Sequence, residues 1–245
     1  MTAPAVRIVW PVRGRARNPI LARLATAILC VTATPAAAQV GAAVSVFTDY
    51  RFRGFSLSES RPVGVLDLSY DSPNGLYIAS SGSVVASREG LRTLGLQLNG
   101  GYAKQLRSGL TLDAGAAYSR YSSYSGLGSS RSYAELYGGI RGKVLSTRLA
   151  FSPDYFGSGP TLYGETAGQF SLARNLQLQA SIGALAPLRE ARGYGLTTDA
   201  RVGLQWRSGP LSLQGAITTR RGSSNAYSAR HSDRTAFLLG ISYAL

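Results

Sequence analysis

Residues 235–245 constrain the fold more than any other stretch, because Phe237, Leu239, Ile241, Tyr243 and Leu245 alternate there with Ala236, Leu238, Gly240, Ser242 and Ala244. A period of two with large apolar groups on one face is a β-strand that coats one side of a sheet with hydrocarbon. In water, a terminal strand of this kind is an aggregation hazard unless something covers it. In lipid the same face is solvated, and the strand closes a barrel by pairing with the first one.

Upstream, the pattern repeats. Twelve alternating segments run at about 40–52, 63–71, 76–86, 93–103, 110–121, 132–142, 144–153, 161–172, 176–186, 196–206, 210–220 and 235–245. Each is near the length that a tilted membrane strand needs. Connections at 71–75, 142–143, 173–175 and 207–209 read as tight hairpin turns, whereas those at 53–62, 122–131, 154–160, 187–195 and 221–234 are longer. Those at 87–92 and 104–109 fall between the two classes. Short turns at one end and long loops at the other predict an all-β fold, a transmembrane antiparallel up-and-down β-barrel of about 12 strands with periplasmic turns and external loops.

Lipid-facing phases fixed from the apolar residues include Leu94, Leu96 and Leu98; Leu110, Leu112, Ala114 and Ala116; Leu176, Leu178, Ala180 and Ile182; and Leu211, Leu213 and Ile217. The charges Asp67, Asp113, Glu135, Arg141, Arg148, Glu165, Asp199 and Arg201 then fall in the opposite phase and line a lumen. A charge on the lipid face at mid-bilayer costs about 2–4 kcal/mol, so the sorting has a physical cause. Outward aromatics gather near strand ends. Tyr70, Tyr102, Phe170, Trp206 and Tyr243 are expected at one rim, and Tyr50, Phe52, Tyr118, Phe151 and Phe237 at the other, as interfacial belts.

Residues 1–38 carry Arg7, Arg13, Arg15, Arg17 and Arg23 without an acidic residue, then an apolar run over 24–31 and the small residues Ala36-Ala37-Ala38. That order reads as a cleaved signal peptide, leaving a barrel at 39–245 in the outer membrane of a Gram-negative cell. Removing it takes five of 26 basic residues and none of the 12 acidic ones, so the remainder carries +9 and no cysteine. Disulfides are therefore excluded as a source of its stability.

Thr48-Asp49-Tyr50-Arg51-Phe52-Arg53-Gly54-Phe55-Ser56 resembles the opening motif of the TorF-type porin family of proteobacteria. Looser likenesses occur at Gly75-Leu76-Tyr77-Ile78-Ala79-Ser80, Gly101-Tyr102, Leu112-Asp113-Ala114-Gly115 with Tyr118, and Glu135-Leu136-Tyr137-Gly138-Gly139. The motif departs from the family pattern at Leu57, where a glutamine is expected. The resemblance implies an outer-membrane barrel and a pore, without a defined substrate. Read from the residues, Asp49, Arg51 and Arg53 share the inward face near the outer rim of the first strand, where they pair with one another or meet an anion. Gly54 turns the chain away from the wall.

Catalytic chemistry is sparse. The single histidine, His231, has Ser228 and Asp233 near it in a serine-rich loop, too loose an arrangement for a triad. One histidine and no thiol leave no metal site, and neither a cofactor nor a nucleic-acid partner is expected. Arg61, Arg189, Arg192, Arg220, Arg221 and Arg230 lie in the long connections or beside them, where guanidinium groups would meet lipopolysaccharide phosphates. The expected partners are outer-membrane lipid, lipopolysaccharide, the barrel-assembly machinery through the C-terminal strand, and small solutes. The expected function is passive diffusion of small hydrophilic solutes, weakly anion-preferring at most. Its rivals are a non-conducting adhesive barrel acting through its external loops, such as 221–234, and a lipid-modifying enzyme dependent on His231.

Overall fold

The computed structural model describes residues 39–123, 125, 127, 129–189, 195–222 and 235–245. The expected leader, together with Arg192, Ser228, Arg230, His231 and Asp233, lies outside the described residues. All regular structure among the described residues is β. Strand β1 (Gln39–Phe47) is followed by two short strands, β2 (Arg51–Phe52) and β3 (Phe55–Ser56), and then by β4 (Val63–Asp71), β5 (Leu76–Ser87), β6 (Gly90–Gln105) and β7 (Thr111–Tyr121). There follow β8 (Arg131–Arg141), β9 (Leu145–Ser152), β10 (Thr161–Ala173), β11 (Leu176–Pro187), β12 (Thr197–Ser208), β13 (Leu211–Arg221) and β14 (Thr235–Ala244).

Strands β1 and β4–β14 form one closed antiparallel barrel, each paired with its neighbours in sequence. The C-terminal strand closes it, with Val44 opposite Tyr243 and Val46 opposite Ile241. Closure removes both sheet edges and so disposes of the aggregation hazard. Strand bounds match the sequence reading within a few residues, except at the first. That strand stops at Phe47 rather than continuing to residue 52, and β2 and β3 pair only with each other.

The outer wall is apolar, as the alternation requires: Leu66, Leu98, Leu136, Leu149, Ile182, Val202, Ile217 and Phe237 are all exposed. Tyr70, Tyr102, Phe170, Trp206 and Tyr243 face outward at the tight-turn end, and Tyr118, Phe151 and Phe237 at the other. Tyr50 and Phe52 do not join that second belt; they are buried inside the barrel. Leu94 is a second correction, because the ladder slips beside it between Ser83 and Val84, a bulge that turns it inward to complete burial. Arg120, exposed near the long-connection end of β7, is an outward charge that sequence reading passed over.

Ile182 sits mid-strand on the outer face, 66% exposed. Ile182→Arg is expected to cost about 2–4 kcal/mol in phospholipid vesicles, measured by denaturant unfolding. The same substitution at its inward neighbour Ser181 should cost far less. Equal losses at both positions would contradict the assigned lipid face.

Candidate functional site

The inside of the barrel has two tiers. At the long-connection end the chain leaves β1, folds into the lumen as the β2–β3 hairpin, and returns to β4. Every residue from Tyr50 to Ser58 is buried. Asp49 is the hub: its Oδ2 accepts from Arg51 Nε at 2.6 Å, and its Oδ1 accepts from Ser56 Oγ at 2.5 Å and Ser58 Oγ at 2.8 Å. Arg51 Nη1 also donates to the Gly54 carbonyl at 3.1 Å. Asp49 and Arg51 therefore pair within the hairpin instead of lining the wall of the first strand.

The turn is made by Arg53 at φ 49° and Gly54 at φ 73°. A side chain at Gly54 would begin 2.9 Å from Arg220 Cβ and 3.0 Å from Asp199 Cβ, so the tip rests against β12 and β13 and needs glycine twice over. Arg53 reaches a different part of the wall. Its Nη2 donates to Glu135 Oε1 on β8 at 2.6 Å, and its guanidinium lies 4.0 Å over Tyr163, 4.7 Å over Phe52 and 5.1 Å over Tyr155. Burial opposes its charge, yet the Glu135 carboxylate holds the guanidinium pKa well above the usual range. Burial, with Asp67 nearby, likewise raises the Tyr50 phenol, whose Oη meets Gln97 Oε1 on β6 at 3.4 Å.

Around the hairpin is an apolar core inside a barrel expected to be ionic within. Phe47, Phe52, Phe55, Leu57, Leu127, Tyr133, Tyr155 and Phe156 belong to it. Tyr133 packs edge-on against Phe156 with centroids 4.4 Å apart and against Tyr155 at 5.0 Å. The sequence carried a signal for this. Phe55 and Leu57 are large apolar groups in a stretch read as a water-facing loop, and Phe47 falls in the inward phase.

Toward the tight turns the interior is polar. Asp113, Gly139, Arg148, Glu165, Gly183, Asp199 and Arg220 are successive partners across β7–β13 and form one row that climbs around the lumen from the tight-turn end at Asp113 to the long-connection end at Asp199 and Arg220, beside the hairpin tip. Arg148 Nη2 donates to Asp113 Oδ2 at 2.9 Å, Tyr77 Oη donates to Asp113 Oδ1 at 2.5 Å, and Tyr163 Oη donates to Asp199 Oδ2 at 3.2 Å. The tyrosines lie along the wall across inward glycines: a Cβ at Gly101 or Gly115 would stand 2.6 Å from Tyr77 Oη or Tyr137 Oη.

Of the other sequence candidates, Asp67 and Arg201 face inward on β4 and β12, and Arg141 is exposed in the inward phase at the end of β8. Arg220, expected at lipopolysaccharide, instead stands 5.8 Å over the Phe55 ring inside the barrel. Arg189 and Arg221 are exposed at strand ends, and Arg61 donates to the Ser58 carbonyl at 2.9 Å. Glutamines were missed. All eight in the chain (Gln39, Gln97, Gln105, Gln169, Gln177, Gln179, Gln205 and Gln214) occupy the inward phase of their strands. Alternation against leucine, as in Leu176-Gln177-Leu178-Gln179, was the available signal.

A family model described as a bacterial protein of unknown function (Gcw_chp) matches residues 32–239. No curated protein matches the chain. Among solved structures, the KdgM porin is 13% identical with a TM-score of 0.55, covering 83% of this chain and 98% of its own. The NanC porin is 12% identical with a TM-score of 0.57, covering 83% and 100%. The outer membrane phospholipase A from Escherichia coli is 14% identical with a TM-score of 0.50, covering 84% and 92%. Porins and an enzyme thus share this barrel, so the fold by itself does not choose between them.

Proposed function

The chain belongs to the Gcw_chp family of bacterial proteins of unknown function, and on that premise we propose that it is an outer-membrane channel for small hydrophilic solutes, of the TorF type that its opening motif resembles. The observation that carries this reading is a closed twelve-stranded barrel, apolar outside, with a polar interior over its tight-turn half. A barrel built only as an anchor has no need of a charged row around its lumen. Eight strands fill with side chains and sixteen leave open water, so twelve leave a bore that an inserted segment can close. The 48–62 segment is that segment here, and passage of solutes requires it to be displaced.

Residues 1–38 act as the export signal, the tight turns face the periplasm, and the C-terminal strand is read by the barrel-assembly machinery. Arg189 and Arg221, exposed at the long-connection end, meet lipopolysaccharide phosphates. The filled outer tier supports a second reading, a non-conducting barrel acting through its external loops. The similarity to a phospholipase concerns fold alone, and a channel is indifferent to His231→Ala.

Planar-bilayer recording of the chain without residues 1–38, under potassium chloride gradients, separates these readings. Stepwise conductance with weak anion selectivity is expected. If neither the native protein nor a form lacking the hairpin gives current steps, the channel reading fails and the structural barrel stands.

A further inference from the structure

We infer that the inner wall formed by β10–β13 is a binding track for hydroxyl-rich carboxylates, a deepening of the channel reading on which it rests. The track is built from amides. Gln169 donates to Gln177, and Gln179 Nε2 donates to Gln205 Oε1 at 2.6 Å. Gln205 Nε2 continues to Ser212 Oγ at 2.5 Å, and Gln214 accepts weakly from Arg201 Nη2 at 3.4 Å. Gln177, Gln205 and Gln214 are neighbours or near neighbours on three adjacent strands, which makes the surface continuous.

Two arginines stand in this wall, and its two carboxylates, Glu165 and Asp199, lie toward the hairpin end of β10 and β12. Arg207 Nη2 donates to Gln205 Oε1 at 3.1 Å, so both guanidiniums meet amide oxygens. Neither forms an ion pair among the described residues, whereas Arg148, on the neighbouring strand β9, is paired with Asp113. A guanidinium gains more from a carboxylate than from an amide oxygen, and both groups are only half-buried and so face the lumen. An entering carboxylate replaces the amide partner, and the freed amides turn to the solute. Each amide both donates and accepts, which matches a chain of hydroxyl groups without placing further charge against the wall. The wall lies below the hairpin, so it is reached from the tight-turn end.

Gluconate is a suitable probe, with propionate as the carboxylate lacking hydroxyls and glucitol as the polyol lacking a carboxylate. Calorimetric titration of the full barrel in detergent should show gluconate binding about tenfold more tightly than either. The R201Q/R207Q variant should lose that preference, and R201K/R207K should keep part of it; heat-modified mobility on a gel confirms that each variant is folded. Equal affinities for the three probes, or undiminished gluconate binding by R201Q/R207Q, overturn the inference. Because calorimetry needs no current, a barrel that binds gluconate but never conducts defeats the channel reading alone, and one that conducts without preferring gluconate defeats this inference alone.

Discussion

Replacing Tyr50–Leu57 with a short glycine–serine linker is expected to raise single-channel conductance by about tenfold, because an emptied twelve-stranded barrel has room for water that the native one fills with side chains. The barrel should survive the change. β1 pairs with β4 from Gln39–Asp71 through Phe47–Val63, and none of those bonds uses the hairpin. What is lost is the apolar core at the long-connection end, where Phe52, Phe55 and Leu57 leave Tyr133, Tyr155 and Phe156 without their packing. The variant should therefore unfold at a lower temperature while remaining a heat-modifiable barrel. A conductance equal to the native value would mean that the hairpin is no barrier.

The second large effect is expected at Glu135. Arg53 and Glu135 are both buried, their side chains 7% and 8% exposed, and joined at 2.6 Å. Glu135→Ala leaves the guanidinium with three aromatic rings and without the carboxylate that it touches, a loss of up to about 3–5 kcal/mol for a broken buried pair, with Asp199 near the turn as a more distant opposite charge. The hairpin has a cheaper course than bearing that cost, since it can leave the lumen and hydrate Arg53. Glu135→Ala should thus reproduce part of the conductance gained by removing the hairpin. Arg53→Met combined with Glu135→Ala should restore most of the stability, because no charge is then stranded. A double-mutant cycle of denaturant unfolding in vesicles measures the coupling. If the double variant is as unstable as Glu135→Ala, the pair does not latch the hairpin.

The two predictions read different things. Removing the hairpin asks whether it obstructs the lumen, and breaking the ion pair asks what keeps it there. A hairpin that obstructs but is not latched by Arg53 would show the first effect without the second.

Most of the wall was legible in the sequence because a strand between lipid and lumen carries its environment in every second residue. Leu176-Gln177-Leu178-Gln179 states which side is which, and a slip by one residue would place glutamine in hydrocarbon. The same rule put Asp113, Arg148, Glu165 and Asp199 inside, and tight turns at one end fixed the order of neighbours. Leu94 escaped it because a bulge changes the phase without changing the composition.

The segment from Thr48 to Pro62 was not legible in this way. Its alternation continues that of β1, so Asp49, Arg51 and Arg53 read as a further stretch of wall. The turn at Arg53 and Gly54, the Asp49 hub and the contact with Glu135 82 residues away decide otherwise. Periodicity reports only which environment the two faces of a strand meet. Inside a barrel both faces of an inserted hairpin meet protein, so the partners that hold it come from β8, β10, β12 and β13. The sequence thus determined the barrel, its lipid face and the inward or outward phase of most strand residues, which are local and repeated. Only the tertiary structure decided that the bore is filled, because that depends on groups brought together by closing the sheet.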